Sequence, residues 1–133
     1  MPQLRCPFED CRCVVASMDE KRKIQVPEQV YTKMKLLQNS RERTLRGGQF
    51  LVFDDVWDFD NIGVSRSLPV ELRNATSGFA LDDDSLTVNE VSKYLICADC
   101  DRGPLGAVCE VKTADGGVKV VHLLSLASVE LEQ

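Results

Sequence analysis

No stretch of this sequence approaches the roughly 20 consecutive apolar residues that a membrane-spanning helix needs. The first residues also lack the basic-then-apolar order of a secretory signal peptide. These two absences predict a cytoplasmic protein that does not insert directly into membranes.

Sequence signatures of enzymes are missing as well. There is no glycine-rich phosphate-binding loop and no nucleophile elbow, and the single histidine, His122, has no evident nucleophile beside it. The sequence therefore predicts a function that depends on binding, and we do not expect an enzyme.

A surplus of basic residues is also absent. The 16 lysines and arginines are outnumbered by 21 aspartates and glutamates, so the net charge is -5 and the isoelectric point is near 4.9. A protein that follows a nucleic-acid backbone needs a basic face. We therefore expect no nucleic-acid partner.

The sequence does contain enough apolar residues for one hydrophobic core. Because 44% of the 133 residues are hydrophobic, residues 1–133 are predicted to form a single domain. Two stretches without sustained periodicity, 39–48 and 65–89, are predicted to be irregular loops within it.

The six cysteines indicate a metal site. Without an export signal, the reducing cytosol favours thiolates on zinc over disulfides. Cys97 and Cys100 have the C-x-x-C spacing at the end of an apolar strand, and the tight turn Gly103-Pro104 follows. This arrangement provides half of a tetrahedral zinc site.

The remaining ligands are expected near the N-terminus, where Cys6, Cys11 and Cys13 offer three thiols. An ion held by four thiolates has no open position for a catalytic water, so the predicted zinc is structural. It would also be needed for folding, because the thiols without metal would leave the ends of the chain untethered.

Strand patterns dominate the first half of the chain. Residues 14–16 and 24–26 flank the charged turn 19–23, which predicts a hairpin. Pro27 then begins a predicted short helix over 28–37, with apolar residues on one face.

Strands are also predicted at 49–53 and 94–96, and a hairpin is predicted from 107–111 and 118–126 around the turn 113–117. Within that hairpin, we interpret Cys109 as a buried apolar thiol and His122 as a sheet-surface side chain, and neither as a metal ligand.

The segment 56–64 alternates in a way that permits two interpretations. In an extended conformation, Trp57 and Phe59 share one face while Asp58 and Asp60 share the other. Trp57 then either packs in the core or is an exposed anchor of the kind that carries partner binding. The alternation does not distinguish between these interpretations.

Two motifs, taken together with the N-terminal thiols, are similar to those of a known family. They are Phe59-Asp-Asn-Ile-Gly63 and Cys97-Ala-Asp-Cys100, the latter followed by Gly103-Pro-Leu-Gly106. Over residues 4–129 the chain resembles the Rab-interacting factors, the mammalian or dominant suppressors of secretory Rab mutants, and especially their fungal branch.

The resemblance implies a mainly β fold: several coiled antiparallel sheets around one structural zinc, with one short helix possible. It also implies a monomeric cytosolic guanine-nucleotide exchange factor or chaperone. Such a protein binds exocytic Rab-type small GTPases in their nucleotide-free form and promotes GDP release in vesicle transport.

The resemblance further assigns residues to roles. The zinc ligands would be Cys6, Cys11, Cys97 and Cys100. The Rab-facing residues would be Asp55, Val56, Trp57 and Asp99. The first thiol pair here is C-x4-C, longer than the C-x-x-C of the mammalian member, so Cys13 stays an alternative to Cys11.

Two alternatives from other functional classes stay open. A zinc-dependent thiol enzyme similar to methionine sulfoxide reductase would need a reactive cysteine of low pKa. A zinc-ribbon nucleic-acid adaptor would show steeply salt-dependent binding.

Overall fold

The structure is a computed structural model that describes residues 2–37, 48–66, 73, 78–80 and 86–132. The predicted loop 39–48 lies outside these residues except for Gly48, as does much of the predicted loop 65–89. The elements are β1 (Gln3–Arg5), β2 (Val14–Ser17), β3 (Lys23–Gln25), α1 (Glu28–Met34), β4 (Gln49–Phe53), β5 (Ile62–Val64), β6 (Phe79–Ala80), β7 (Leu86–Cys97), β8 (Gly106–Thr113), β9 (Val118–Ser125) and β10 (Glu130–Glu132), with 3₁₀ helices at Glu20–Arg22, Val56–Asp58 and Leu126–Ser128.

The strands form two antiparallel sheets in the described part of the chain. One is three-stranded in the order β10-β1-β2, and the other is seven-stranded in the order β3-β4-β9-β8-β7-β5, with β6 added beside β7. The prediction of a mainly β, antiparallel fold with one short helix is confirmed.

The predicted hairpin is confirmed as β8 and β9, which lie at the centre of the larger sheet. The strands pair from Gly106↔Leu124 to Lys112↔Val118, and Thr113 N donates to Gly117 O at 2.8 Å to close the turn. The paired residues Val111 and Lys119 are only eight positions apart in the sequence, so local chemistry specifies this pairing.

The longest strand, β7, is only partly anticipated by the sequence. It begins at Leu86, inside the segment 65–89 that was predicted to be irregular, and it pairs with β8 from Leu86↔Thr113 to Leu95↔Gly106. The register shifts between Val88 and Glu90, and this irregularity breaks the two-residue alternation that would reveal a strand. Pairing with β8, the next strand along the chain, therefore extends β7 beyond the strand that the local pattern predicts.

The predicted hairpin of 14–16 with 24–26 is wrong. β2 pairs with β1 in the small sheet, whereas β3 pairs with β4 in the large sheet. The charged turn between them forms the 3₁₀ helix Glu20–Arg22, in which Asp19 accepts a hydrogen bond from Lys21 N at 3.0 Å. The turn thus carries the chain from one sheet to the other.

The predicted helix is confirmed as α1, although it is shorter than 28–37. It ends at Met34 because Lys35 adopts a left-handed conformation with φ 55°. The Tyr94 hydroxyl on β7 donates to the Met34 carbonyl at 2.6 Å, which fixes this end of the helix against the sheet. No helix in the described ranges is long and apolar enough to cross a membrane.

Two clusters of buried side chains form the core. One packs α1 against the large sheet and includes Met34 and Phe50. The other contains residues of both sheets, among them Leu4, Leu95 and Leu124, and it includes the buried side chains of Cys6 and Cys97. Full burial of such a leucine stabilises a fold by about 1.5–3 kcal/mol, so the second cluster is a rigid support for the cysteines.

Candidate metal centre and neighbouring surface

The first cysteine knuckle, residues 6–13, is a hydrogen-bonded turn between β1 and β2. Cys6 N donates to Cys13 O at 2.9 Å, and the amides of Cys11 and Arg12 both donate to Phe8 O, at 3.0 and 3.1 Å. Arg12 has a left-handed φ of 59°, which turns the chain back toward β2. The knuckle therefore directs its thiols to one side.

The second cysteine knuckle, residues 97–102, begins at the last residue of β7. Cys97 N donates to Arg102 O at 2.9 Å, and Asp101 N donates to Cys97 O at 2.8 Å. The turn is completed by Asp101 at φ 58°. These bonds hold Cys97 and Cys100 on the same side of the turn, as the C-x-x-C spacing predicts.

Four sulfur atoms meet between the two knuckles. The Sγ atoms of Cys6, Cys11, Cys97 and Cys100 all lie within 4.8 Å of one another. The Cys6–Cys100 and Cys11–Cys97 separations are both 3.7 Å. Four sulfurs placed tetrahedrally about 2.3 Å from a zinc ion would be about 3.8 Å apart. The donor set therefore fits one thiolate-bound metal ion.

Cys13 is close to this group and is not a member of it. Its sulfur lies 3.6 Å from that of Cys11 and 3.3 Å from that of Cys97. The cluster that contains Cys13 consists instead of Cys11, Cys13 and Asp99. The geometry thus favours Cys11 over Cys13 as the fourth ligand.

The electrostatics of the thiols also suit a cation. Cys6 and Cys97 are fully buried, and burial raises the pKa of the Cys6 and Cys13 thiols far above their usual range. At Cys100, burial also opposes ionisation, but hydrogen bonds from Arg102 and the neighbouring thiols outweigh it and lower the pKa to about 7. A buried cation would compensate the charge that burial otherwise suppresses.

All six cysteines lie in the described part of the chain and carry free thiols. Cys109 is fully buried in β8, as predicted, and burial raises its pKa to about 12. His122 is also not placed as a metal ligand, because its Nδ1 lies within hydrogen-bond distance of Phe53 O, at 3.2 Å. It is buried beside Phe59 and does not lie on the sheet surface, which corrects that part of the prediction.

The motif Phe59-Asp-Asn-Ile-Gly63 is bonded to the second knuckle and to the residue that ends the first knuckle's turn into β2. Asn61 Nδ2 donates to Val14 O at 2.7 Å, directly after the first knuckle, and Asn61 O accepts from Ala98 N at 3.1 Å in the second. The following strand, β5, pairs with the end of β7 through Ile62↔Cys97. The motif therefore belongs to the structural surroundings of the metal centre.

Trp57 lies just before this motif and is 86% exposed. The extended conformation predicted for 56–64 is wrong at this point, because Val56–Asp58 is a 3₁₀ helix. The helical turn separates Trp57 from Phe59, which is buried against Phe53 with ring centroids 4.3 Å apart. Of the two interpretations of the alternation, the exposed one is therefore observed.

The other predicted partner residues lie near Trp57 or the thiols. Asp55 is exposed and its Oδ1 accepts from Trp57 N at 3.0 Å, which fixes the start of the 3₁₀ helix. Val56 lies in the same helix. Asp99 is exposed in the second knuckle, with Oδ2 3.5 Å from the Cys11 sulfur. Asn61, through its bonds to the second knuckle and to the residue after the first, connects these two regions.

Two residues around the centre were not assigned a role from the sequence. Asn61 stands inside a quoted motif, but only the structure shows that it bonds to the second knuckle and to the residue after the first. Arg102 pairs with Asp10 of the first knuckle across a long sequence separation. Its position two residues after the C-x-x-C pair indicates a place beside the thiols, but local sequence does not predict Asp10 as its partner.

Comparisons with known proteins identify the family to which the chain belongs. Residues 1–123 match the family model described as Mss4 protein. Protein DSS4 of Saccharomyces cerevisiae is 40% identical over 139 residues, an alignment that covers 98% of this chain and 97% of the relative. No solved structure matches the chain significantly. The resemblance inferred from the sequence motifs is confirmed, and the chain belongs to the Mss4 family.

Proposed function

We propose that this protein is a guanine-nucleotide exchange factor or chaperone that binds nucleotide-free exocytic Rab GTPases and promotes GDP release in vesicle transport. The family membership supports a Rab-interacting exchange factor. The observation that carries the proposal within this chain is the exposure of Trp57 on a segment bonded to the second cysteine knuckle and to the residue after the first. We further propose that it acts as a monomer in the cytoplasm.

The proposal includes one zinc ion held by Cys6, Cys11, Cys97 and Cys100. Soft thiolates select zinc over the harder magnesium and calcium ions, and the sulfur separations suit its tetrahedral geometry. When bound, the ion supplies a structural cross-link between the knuckles. The residues of the chain then hold the neighbouring surface in position for the partner.

The proposed Rab-facing surface consists of Asp55, Val56, Trp57 and Asp99. An exposed tryptophan is costly to leave in water and is the residue type most enriched among the energetic centres of interfaces. Asp55 fixes the backbone of Trp57, and the exposed carboxylates around it offer partners for basic groups. Asn61 bonds hold this segment against the second knuckle, where Asp99 lies.

The mechanism requires no covalent chemistry. A protein that binds the empty GTPase more tightly than the nucleotide-bound GTPase must weaken nucleotide binding by the same factor. We infer that the surface around Trp57 holds GTPase segments in a conformation that the bound nucleotide disfavours. Acidic groups such as Asp55 and Asp99 would pair with basic groups that the departing phosphates leave without a partner.

Gel filtration of the protein with a nucleotide-stripped exocytic Rab tests the proposal. We expect co-elution in EDTA, and separation after excess GTP and magnesium are added. The Trp57→Ala variant serves as the binding control. Co-elution that is indifferent to nucleotide would show an ordinary adaptor, and an absence of co-elution with a panel of exocytic Rabs would contradict the proposal.

The alternative functions are less well supported by the described residues. A thiol enzyme needs a reactive thiolate outside the metal site. Cys100, whose pKa is lowered to about 7, is one of the four proposed ligands, whereas burial raises the pKa of Cys109, which lies outside the thiol cluster, to about 12. We expect iodoacetamide to label Cys109 only after unfolding, and rapid labelling with zinc bound would favour the thiol enzyme. The acidic composition disfavours the nucleic-acid adaptor, for which steeply salt-dependent RNA or DNA binding would be the evidence.

A further inference from the structure

The side chain of Arg102 contacts two residues beside the candidate metal centre. Its Nη2 lies 2.6 Å from Asp10 Oδ1, and its guanidinium carbon lies 4.1 Å from the centroid of the Phe8 ring. Asp10 and Phe8 belong to the first knuckle and Arg102 to the second, so this side chain joins the two knuckles.

The backbone fixes Arg102 in this position. Its carbonyl accepts from Cys97 N at 2.9 Å, and the preceding residue, Asp101, donates to Cys97 O. Phe8, on which the guanidinium stacks, packs against the core cluster that contains the cysteines. Arg102 is therefore held at both its backbone and its side chain, unlike most surface arginines.

A thiolate-bound metal would be negatively charged, and the positive charge of Arg102 would stabilise it. A divalent ion with four thiolates carries two negative charges, and a guanidinium stays positive throughout the physiological pH range. Arg102 stands two residues after Cys100, and its carbonyl accepts from the amide of Cys97, so its backbone is tied to the residues of the proposed site. Groups that bond to metal ligands from outside also orient those ligands and tune the metal affinity.

We propose that Arg102 is a positioning residue for the metal centre, which joins the two knuckles outside the ligands and offsets the negative charge of the thiolates. This inference rests on the proposed zinc site and goes beyond it, because Arg102 is not a ligand. The contacts of Arg102 should make the metal leave the site more slowly than it would without this side chain. The Rab-facing surface, which is bonded to the second knuckle, would keep its shape through this side chain.

The rate of zinc transfer to a chelator tests the inference. Arg102→Met removes the charge and the donors, and we expect it to release zinc about 10- to 100-fold faster than the wild type. Arg102→Lys keeps the charge and should restore part of the difference. In the cobalt-substituted protein, Arg102→Met should also shift the sulfur-to-cobalt charge-transfer band, which a general loss of stability would not move.

Arg22→Met is the matched control. Arg22 has a similar exposure, stacks on Phe53 at 4.6 Å and pairs with Asp19 and Asp58, but it does so away from the thiols. We expect Arg22→Met to release zinc at the wild-type rate. Equal acceleration by both variants, or wild-type release from Arg102→Met, would overturn the inference. A wild-type protein without bound zinc would instead refute the zinc site itself.

Discussion

Cys11 and Cys13 offer two thiols for one position in the proposed zinc site. Cys11 completes a set of four sulfurs that lie within 4.8 Å of one another. Cys13 lies 3.3 Å from the Cys97 sulfur, nearer than the edge of a zinc–thiolate tetrahedron of about 3.8 Å. One sulfur therefore fits the coordination geometry, and the other lies beside it.

We expect Cys11→Ser to lose zinc and Cys13→Ser to retain about one ion per chain. The hydroxyl of serine is a poor ligand for zinc at neutral pH, so the loss follows only where the thiolate is a ligand. Zinc per chain, measured by mass spectrometry of the purified protein, checks the assignment. Retention by Cys11→Ser together with loss by Cys13→Ser would reverse the assignment.

Trp57 is exposed, whereas Phe59, two positions later, is buried. Because Trp57 and Asp99 are exposed, truncation of either to alanine should change the free energy of unfolding by less than about 1 kcal/mol. Both variants should nevertheless bind Rab more weakly, since both remove proposed contacts. Urea unfolding and Rab titration measure the two effects separately.

Phe59→Ala is the contrasting control. Phe59 is buried against Phe53 and His122, and its truncation should cost about 3–5 kcal/mol of stability. If Trp57→Ala destabilised the protein as strongly as Phe59→Ala, Trp57 would have to be a core residue, and the proposed binding surface would be wrong.

At the scale of elements, the sequence predicts best what depends on neighbours along the chain. The hairpin of β8 and β9 follows from its turn chemistry, and the helix α1 from its apolar face and the proline before it. The sharing of a metal site by two cysteine groups followed from their spacing. For the hairpin and the helix, the determining residues lie within one short segment. For the cysteines, the chemistry of thiolates requires a shared metal ion.

The remaining elements depend on contacts that no local pattern specifies. β3 pairs with β4 and not with β2, and the start of β7 is a strand because β8 lies beside it. The 3₁₀ helix at Val56–Asp58 reverses the orientation that strict alternation gives to Trp57. Sheet assignment and side-chain direction there are properties of the tertiary structure.

Gly106 shows how one element depends on a close approach of two backbones. A Cβ atom at this position would lie 2.1 Å from Leu123 O on β9, whereas one at Gly63 would make only ordinary contacts, the nearest at 3.5 Å. We expect Gly106→Ala to destabilise the protein by at least about 1–3 kcal/mol, because β8 and β9 must move apart. Gly63→Ala is the control and should have a much smaller effect in urea unfolding. Equal effects would contradict the close approach at Gly106.

At the scale of the whole molecule, distant parts of the chain are joined by the pairing of two strands and by the proposed metal ion. β1 pairs with β10 from Gln3↔Glu132 to Arg5↔Glu130, so the ends of the chain are joined by backbone hydrogen bonds as well. The expectation that zinc alone tethers the ends is therefore wrong. The proposed ion instead connects the knuckle between β1 and β2 to the knuckle after β7, and so couples the two sheets.

Removal of zinc should lower the melting temperature, and restoring zinc should raise it again, because an ion that binds only the folded chain stabilises it. The effect should depend on pH. Burial raises the pKa of the Cys6 thiol, so protons compete strongly with zinc, and the difference between the zinc-bound and zinc-free proteins should shrink as pH falls. Calorimetry at about pH 8 and pH 6 measures both differences. A difference that is independent of pH would argue against thiolate ligands.

The proposed coupling between the binding of this protein to Rab and the binding of nucleotide to Rab is also a property of the whole complex. Reciprocity requires that added nucleotide promote release of this protein to the extent that this protein promotes release of GDP. For a GTPase that holds GDP tightly, the required differential affinity is several kcal/mol, each ~1.4 kcal/mol being tenfold. The proposed function therefore predicts a stable complex with the empty GTPase and slow turnover from that complex.

We therefore expect release of labelled GDP to have an amplitude that rises in proportion to the amount of this protein until the two proteins are equimolar. GTP with magnesium should dissociate the purified empty complex slowly, and a non-hydrolysable analogue should do the same, because hydrolysis has no part in the coupling. Trp57→Ala should reduce the amplitude at equal concentration, since it removes the proposed anchor. Complete GDP release by a small fraction of an equivalent would instead show a rapid turnover catalyst, whose complex with the empty GTPase is short-lived.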